Sequence, residues 1–283
     1  MFERFSRSWE LIKASGNVLR QDKELLVFPL LSSIAAILVA VSFIVPLVAT
    51  DAFVRIQENG EVQALHVVVG FLFYLSQNFV IFYFNSALVG AAMIRLEGGD
   101  PTVKDGLRIA NSKLGAILGY AAIAATVGII LRMIEERLGM VGRWITGLLG
   151  VAFTLATFMV VPLLVTRNIG PIDAVKESAS LLRKTWGENI IGNVGMGLVF
   201  GLIYFALIVP GLAVVFWLIQ MQSGLLAITM GAVLVGGFIL LALIQAALQG
   251  VYSAALFRFA TAGDAGAGFD GTLLGDAFRK KKD

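Results

Sequence analysis

The sequence predicts an all-α polytopic membrane protein: six transmembrane helices, built as three repeats of an interfacial helix plus a helical hairpin. Three observations carry this. The 283 residues are 58% hydrophobic and only 14% charged, with a mean hydropathy of +0.86, whereas a soluble globular domain carries about 25% charged residues. The charges cluster, leaving six stretches of roughly 18 residues or more without one, the length at which a helix crosses a bilayer. Three passages also recur at a single spacing along the chain.

The spans fall at about 25–50, 65–94, 114–131, 144–166, 189–218 and 225–257. The fifth and sixth are separated only by "QMQSG" (Gln220 to Gly224). Before the first, Met1 to Glu24 alternates charged and apolar residues, with none of the short apolar core and small-residue cleavage site of a secretory signal. Phe2, Phe5, Trp9, Ile12, Gly16 and Leu19 lie three or four apart there, and Glu3, Arg4, Arg7, Glu10, Lys13 and Arg20 lie on the other side. That is the period of a helix lying in a membrane interface. Ile172, Val175, Ala179, Leu182 and Trp186 form the same kind of stripe later in the chain. These faces can meet either lipid or the protein's own spans. Pro171 suits a first helical position, and Asp100 before Pro101 suits an N-cap.

The repeat is read by alignment. "ELIKASGNVLR" (Glu10 to Arg20) matches "DAVKESASLLR" (Asp173 to Arg183) without gaps, and the same offset lays "AAMIRL" (Ala91 to Leu96) on "AALFRF" (Ala254 to Phe259). "DPTVKDGLRIANSKLG" (Asp100 to Gly115) is a weaker third copy. Internal duplication follows, with units at about 1–99, 100–169 and 170–262 in one membrane domain, and a flexible basic tail over 263–283. Between the third interfacial helix and its span stands "RKTWGENIIGN" (Arg183 to Asn193). Arg183 and Lys184 can reach phosphates, and Trp186 suits the headgroup level. Gly187 permits a left-handed cap, and Glu188 suits the positive end of the next helix. The segment reads as an interfacial elbow.

Topology follows from the cations. With six spans, every Lys and Arg except Arg55, Arg132, Arg137 and Arg143 falls on the side of the two termini. Positive loops stay cytoplasmic, so both termini are expected inside. A formal net charge of +3 does not indicate nucleic acid. The basic rim fits anionic lipid at the cytoplasmic face as the partner.

Two passages, "RFSRSWELIKASGNVLRQDKELLVFPLL" (Arg4 to Leu31) and "VVPLLVTRNIGPIDAVKESASLLRKTWGENIIGN" (Val160 to Asn193), resemble a family of prokaryotic integral membrane proteins catalogued only as a domain of unknown function. The resemblance covers most of the chain. It implies a multi-pass protein of the plasma membrane and supplies no catalytic or binding residue.

Chemistry is sparse. No charged residue lies near a span centre, where relays and ion paths would show themselves. There is no cysteine, and the one histidine, His66, sits at the outer end of the second span. No cofactor, metal site or enzymatic activity is expected. "GAGFDG" (Gly266 to Gly271) matches a dinucleotide fingerprint by letter, but it follows a membrane span rather than a strand. Asp264, Asp270 and Asp276 read as solvated tail acids. Uncharged polarity remains. Asn78 and Asn85 share a helix face, Gln245 and Gln249 share another, and Tyr74 and Tyr252 extend the two. These amides either hold helices together, at about 0.6 kcal/mol each, or line a polar path. Gly115/Gly119 and Gly197/Gly201 are pairs spaced to let helix backbones approach. Two functions are compatible: a non-catalytic scaffold organising lipids or partner proteins through its interfacial helices, or a transporter or channel for an apolar or uncharged solute.

Overall fold

The computed structural model describes residues 2–49, 64–186, 191–266 and 269, and helices account for nearly all of them. They are α1 (Phe2–Gln21), a 3-10 turn (Lys23–Leu26), α2 (Val27–Ala49), α3 (Ala64–Leu96), α4 (Val103–Ser112), α5 (Leu114–Ala156), α6 (Val160–Thr166), α7 (Pro171–Trp186), α8 (Ile191–Gln220) and α9 (Gly224–Ala262). No strand occurs among the described residues.

Five helical stretches are long and apolar enough to cross a membrane: Lys23–Ala49, Val67–Leu96, Leu114–Thr166, Val199–Gln220 and Gly224–Ala262. This differs from the six expected, because the third and fourth expected spans fall within one 53-residue stretch. Its continuity is broken at Gly139, whose φ of 55° and ψ of −127° are not helical. In a straight helix, positions eight apart lie about 12 Å apart. Here a Cβ on Gly142 would stand 2.9 Å from the Ile134 carbonyl oxygen, and Arg143 pairs with Glu135 at 3.3 Å. The chain therefore bends sharply at Gly139. The break between α8 and α9 lies where the sequence places it, with Gln222 in the left-handed region at φ 55°.

The core sits at the end that carries the short helices. Ala87 to Val89 of α3, Val160 to Leu164 of α6 and Ala247, Leu248 and Val251 to Phe257 of α9 are buried there, with Val18, Leu25, Phe28 and Ile117. Away from it, side chains such as Trp144, Leu148, Phe216, Leu225 and Ile228 are exposed.

The short helices spend their apolar faces on this core. On α1, Leu11, Ser15, Val18 and Leu19 are buried against α8 and α9, while Trp9 stays exposed with the Lys13 ammonium 5.9 Å from its ring centroid. On α7 the buried stripe is Ala174, Ser178 and Leu182, and Ile172 is 60% exposed. The expected stripe is thus rotated. Small residues face inward because α7 lies close against α5 and α6: Pro171 is 2.7 Å from where a Gly119 Cβ would be, and the Met159 N–H donates to Ser178 Oγ at 3.1 Å. Of the glycine pairs expected to admit close helices, only Gly119 meets a neighbour. Gly115, Gly197 and Gly201 face open space. Helix α4 starts at a capping box on Thr102, not Asp100. The Thr102 hydroxyl accepts from the Asp105 N–H at 3.2 Å, and Asp105 accepts from the Thr102 N–H at 3.1 Å. The Thr102 hydroxyl also donates to the Asp105 carboxylate at 2.6 Å, and this bond above all, with that from the Thr102 N–H, holds the carboxyl below its ordinary range. Gly106 presses α4 onto α3. A Cβ there would lie 2.5 Å from the Phe28 ring and 2.6 Å from the Ala87 carbonyl oxygen.

An ion cluster closes the same end. The Arg95 guanidinium lies 3.0 Å from the buried Asp22 carboxylate and donates to Gln21 Oε1 at 3.0 Å. Arg258 at the end of α9 pairs with Asp264 at 3.2 Å and Glu97 at 3.7 Å. Desolvation raises the Asp22 carboxyl above its ordinary 3.8, against the pull of Arg95. A carboxyl raised on folding favours the fold fully below its unfolded value, and that contribution fades as pH rises through the raised value. Asp22→Asn should therefore cost little at neutral pH. Arg95→Met leaves a buried charge alone and should cost more, though less than the about 3–5 kcal/mol of a fully buried pair, since Arg95 is 24% exposed. Thermal unfolding of the detergent-solubilised protein checks both. The Arg95→Met deficit should shrink as the pH is lowered and Asp22 takes up its proton.

Candidate functional site

Helix α3 runs through the middle of the bundle and packs against α2, α4, α5, α6 and α9. One of its faces, Asn78, Ile81, Phe82, Asn85 and Leu88, borders a half-open cavity of about 580 Å³. The opposing walls come from both arms of α5, with Tyr120, Ala124, Val127, Gly128 and Leu131 before the bend and Gly150, Phe153 and Thr154 after it. Ala246, Gln249, Gly250 and Ser253 of α9 and the first turns of α2 complete it. Residues 128 and 150 would be about 33 Å apart in a straight helix; the bend at Gly139 brings them to one cavity.

Among the described residues, no Asp, Glu, Lys, Arg or His lines the cavity. Its polarity is amide and hydroxyl set among aromatic rings. Phe82 and Tyr120 stack at 4.4 Å between centroids. Asn78 Nδ2 donates to the Tyr74 carbonyl at 2.8 Å, within its own helix. Asn85 faces α9 at its closest approach, because a Cβ on Gly250 would lie 3.7 Å from Asn85 Oδ1 and would collide with Leu88. Thr154, Thr157 and Ser253 donate their hydroxyl protons to Gly150, Phe153 and Gly250 carbonyls of their own helices, at 2.9, 2.8 and 2.9 Å. Their lone pairs remain to accept. The lining thus offers amide donors and amide and hydroxyl acceptors, with no fixed charge. Such a set is suited to an uncharged polar group in an apolar surround.

Three of the four amides expected on polar faces, Asn78, Asn85 and Gln249, meet at this cavity. Gln245 does not. Its Oε1 accepts from the Tyr204 hydroxyl of α8 at 2.9 Å, so it joins two helices. Neither tyrosine extends the faces into the cavity. The Tyr74 hydroxyl lies 3.4 Å from Arg132, and Tyr252 is buried at 2% exposure. Sequence reasoning missed Gln77, whose Nε2 donates to the Ala36 carbonyl of α2 at 3.0 Å. It also missed the hydroxyls of Thr154, Thr157 and Ser253, although each stands out as a polar residue in an apolar run. Of the elbow, Arg183 is exposed near the end of α7, and Lys184 and Trp186 lie in its last turn. Gly187 and Glu188 lie outside the described residues.

No curated protein matches the chain. A family model described as Family of unknown function (DUF6159) matches residues 64–269, which takes in the cavity's walls from α3, α5 and α9 and the second of the two motifs that carry the family resemblance, but neither α1 nor α2. With most of its length matched, from the start of α3 to beyond the end of α9, the chain belongs to that family of unknown function.

Proposed function

We propose that this is a six-span protein of the prokaryotic plasma membrane that binds an uncharged, largely apolar solute in the α3–α5–α9 cavity and carries it through or presents it within the bilayer. The observation that carries this reading is the meeting of Asn78, Asn85 and Gln249, from two helices, at one charge-free cavity. Polar groups in a hydrocarbon setting are retained where they bind or pack, and the amides of Asn85 and Gln249 are not spent on hydrogen bonds among the described residues.

Six spans rest on Gly139. An unbroken helix of 53 residues would reach about 80 Å, far beyond an about 30 Å hydrocarbon core, whereas a reversal at Gly139 gives two crossings of ordinary length. Both termini, with the short helices, then face the cytoplasm, where the basic rim meets anionic headgroups. Duplication is supported by matched environments. Ser15 and Ser178 are both fully buried, Leu19 and Leu182 are buried, and Arg95 and Arg258 both end a long helix in an ion pair. Each unit's short helix rests on the returning helix of the unit before it: α4 on α3, α7 on α6, and α1 on α9.

A scaffold working through its interfacial helices draws less support, because α1 buries Leu11, Val18 and Leu19 and α7 buries Ala174, Ser178 and Leu182 in the protein's own core. The test is a comparison of reconstituted vesicles with empty ones, across a panel of uncharged amphiphiles, with Asn78→Leu/Asn85→Leu as the control. Binding or flux should disappear in the double variant, while stability changes by no more than about 1 kcal/mol, because Asn78 bonds within its own helix and even an interhelical amide bond averages only about 0.6 kcal/mol. No uptake above empty vesicles anywhere in the panel returns the scaffold to first place.

A further inference from the structure

The cavity has a side door. Among the described residues, α5 and α9 supply facing walls without packing extensively along one another, and the two sides meet at the basic end, where α6 touches α9. Thr154 on one side and Ala246 and Gln249 on the other line the cavity and are also exposed, so they mark its mouth. The flanks of the mouth are apolar: Leu149, Val151, Ile239 and Leu240 are each about half exposed. Along α9, Gln249 lies about 14 Å from the ion-paired Arg258, at 1.5 Å per residue. With Arg258 at the interface, that depth is near the middle of an about 30 Å hydrocarbon core.

We propose that the occupant is a neutral acyl lipid with a hydroxyl-bearing head, of the acylglycerol class, and that it enters sideways from the bilayer between α5 and α9. The proposal rests on the binding reading above and narrows it. A mouth at mid-depth with apolar lips admits what is already dissolved in hydrocarbon, not a solute from water. The charge-free lining offers an ionised phosphate no counter-charge, and desolvating it there is costly. Hydroxyls and esters, by contrast, match the amides of Asn85 and Gln249, which both donate and accept. The acyl chain lies against Phe82, Val127, Leu131 and Phe153. The volume, about 580 Å³, is that of a small-molecule pocket, typically about 300–1,000 Å³, and suits one chain and a compact head.

The absence of native cysteine makes the door testable. Thr154→Cys and Ala246→Cys in the full chain can be bridged by a series of bis-maleimides of increasing span, and the protein then reconstituted in phosphatidylcholine vesicles. A photoactivatable monoacylglycerol in the same vesicles reports occupancy. Before bridging, it should label lining residues of α3, α5 or α9 and be displaced by unlabelled monoacylglycerol, but not by phosphatidic acid. After bridging, labelling should fall several-fold. Asn85→Leu with Gln249→Leu should also lower it in the unbridged protein.

Labelling that depends on the amides but survives complete bridging overturns lateral entry and leaves the binding reading in place. Displacement by phosphatidic acid as strong as by monoacylglycerol overturns the neutral head. Labelling indifferent to the amides overturns both readings. Bridging is carried out in detergent, where each single cysteine is first shown to react with a small maleimide; failure of every linker to join two reactive cysteines means that they do not face each other across a mouth, and the door is then wrong.

Discussion

Gly106→Val should unfold the basic end of the protein at temperatures where the parent is intact. The added carbons would be driven into the Phe28 ring and the Ala87 carbonyl, which stand 2.5 and 2.6 Å from the Cβ position. An aromatic ring can turn aside. A backbone carbonyl inside a helix cannot, so α4 must lift off α3. Overpacking of this kind costs about 1–3 kcal/mol and sometimes more, and two clashes at one atom put the expected loss at about 3 kcal/mol or above. Gly128→Ala is the control, because nothing lies within 4 Å of its Cβ. It should gain about 0.5–1 kcal/mol from helix propensity. Thermal melts in detergent compare them. A Gly106→Val protein as stable as the parent would mean that α4 does not lie on α3 as described.

The second expected result is all-or-none. Glu97→Cys and Lys176→Cys should both resist an impermeant thiol reagent in intact cells, while Glu135→Cys reacts, with no native cysteine to confuse the reading. On the six-span reading proposed above, a reversal at Gly139 puts Glu97 and Lys176 on the same side of the membrane, with Glu135 opposite. If the 53-residue stretch crossed once, Glu97 and Lys176 would lie on opposite sides, and one of them would react. Opposite labelling of those two positions would remove the six-span reading and the lateral mouth with it, since the two arms of α5 would no longer share a cavity.

Much of the frame is legible in the sequence because burial in lipid and exposure to water demand opposite residues. Charge-free runs therefore mark long helices even without a partner in view. Arg132, Glu135, Glu136, Arg137 and Arg143 already flag the turn. A single glycine suffices to make it, so the helical stretch reads as one. The faces of the short helices are harder. Large apolar residues such as Ile172 and Val175 dominate a periodicity reading, whereas close helix contact selects small ones, here Ala174 and Ser178. The amides show the same limit. Asn78 and Asn85 lie on one face by arithmetic alone. What separates Gln249 from Gln245, one turn away, is the position of Tyr204 on α8, and nothing within α9 encodes where α8 lies.

The seat of α1 on α8 and α9 has a consequence for how the protein is made. Helix α1 is synthesised well before α8 and α9, yet it buries Leu11, Val18 and Leu19 against them. Docking must therefore wait until both of those helices have been made and have entered the membrane. Until then the amphipathic helix has no protein face to cover its stripe, and the bilayer surface is the natural place to park it. Long-range closure of this kind is slow and comes late. A protein truncated before α8 would consequently leave the apolar stripe of α1 with no protein face to cover it, and quality-control proteases would meet it with that helix still adrift.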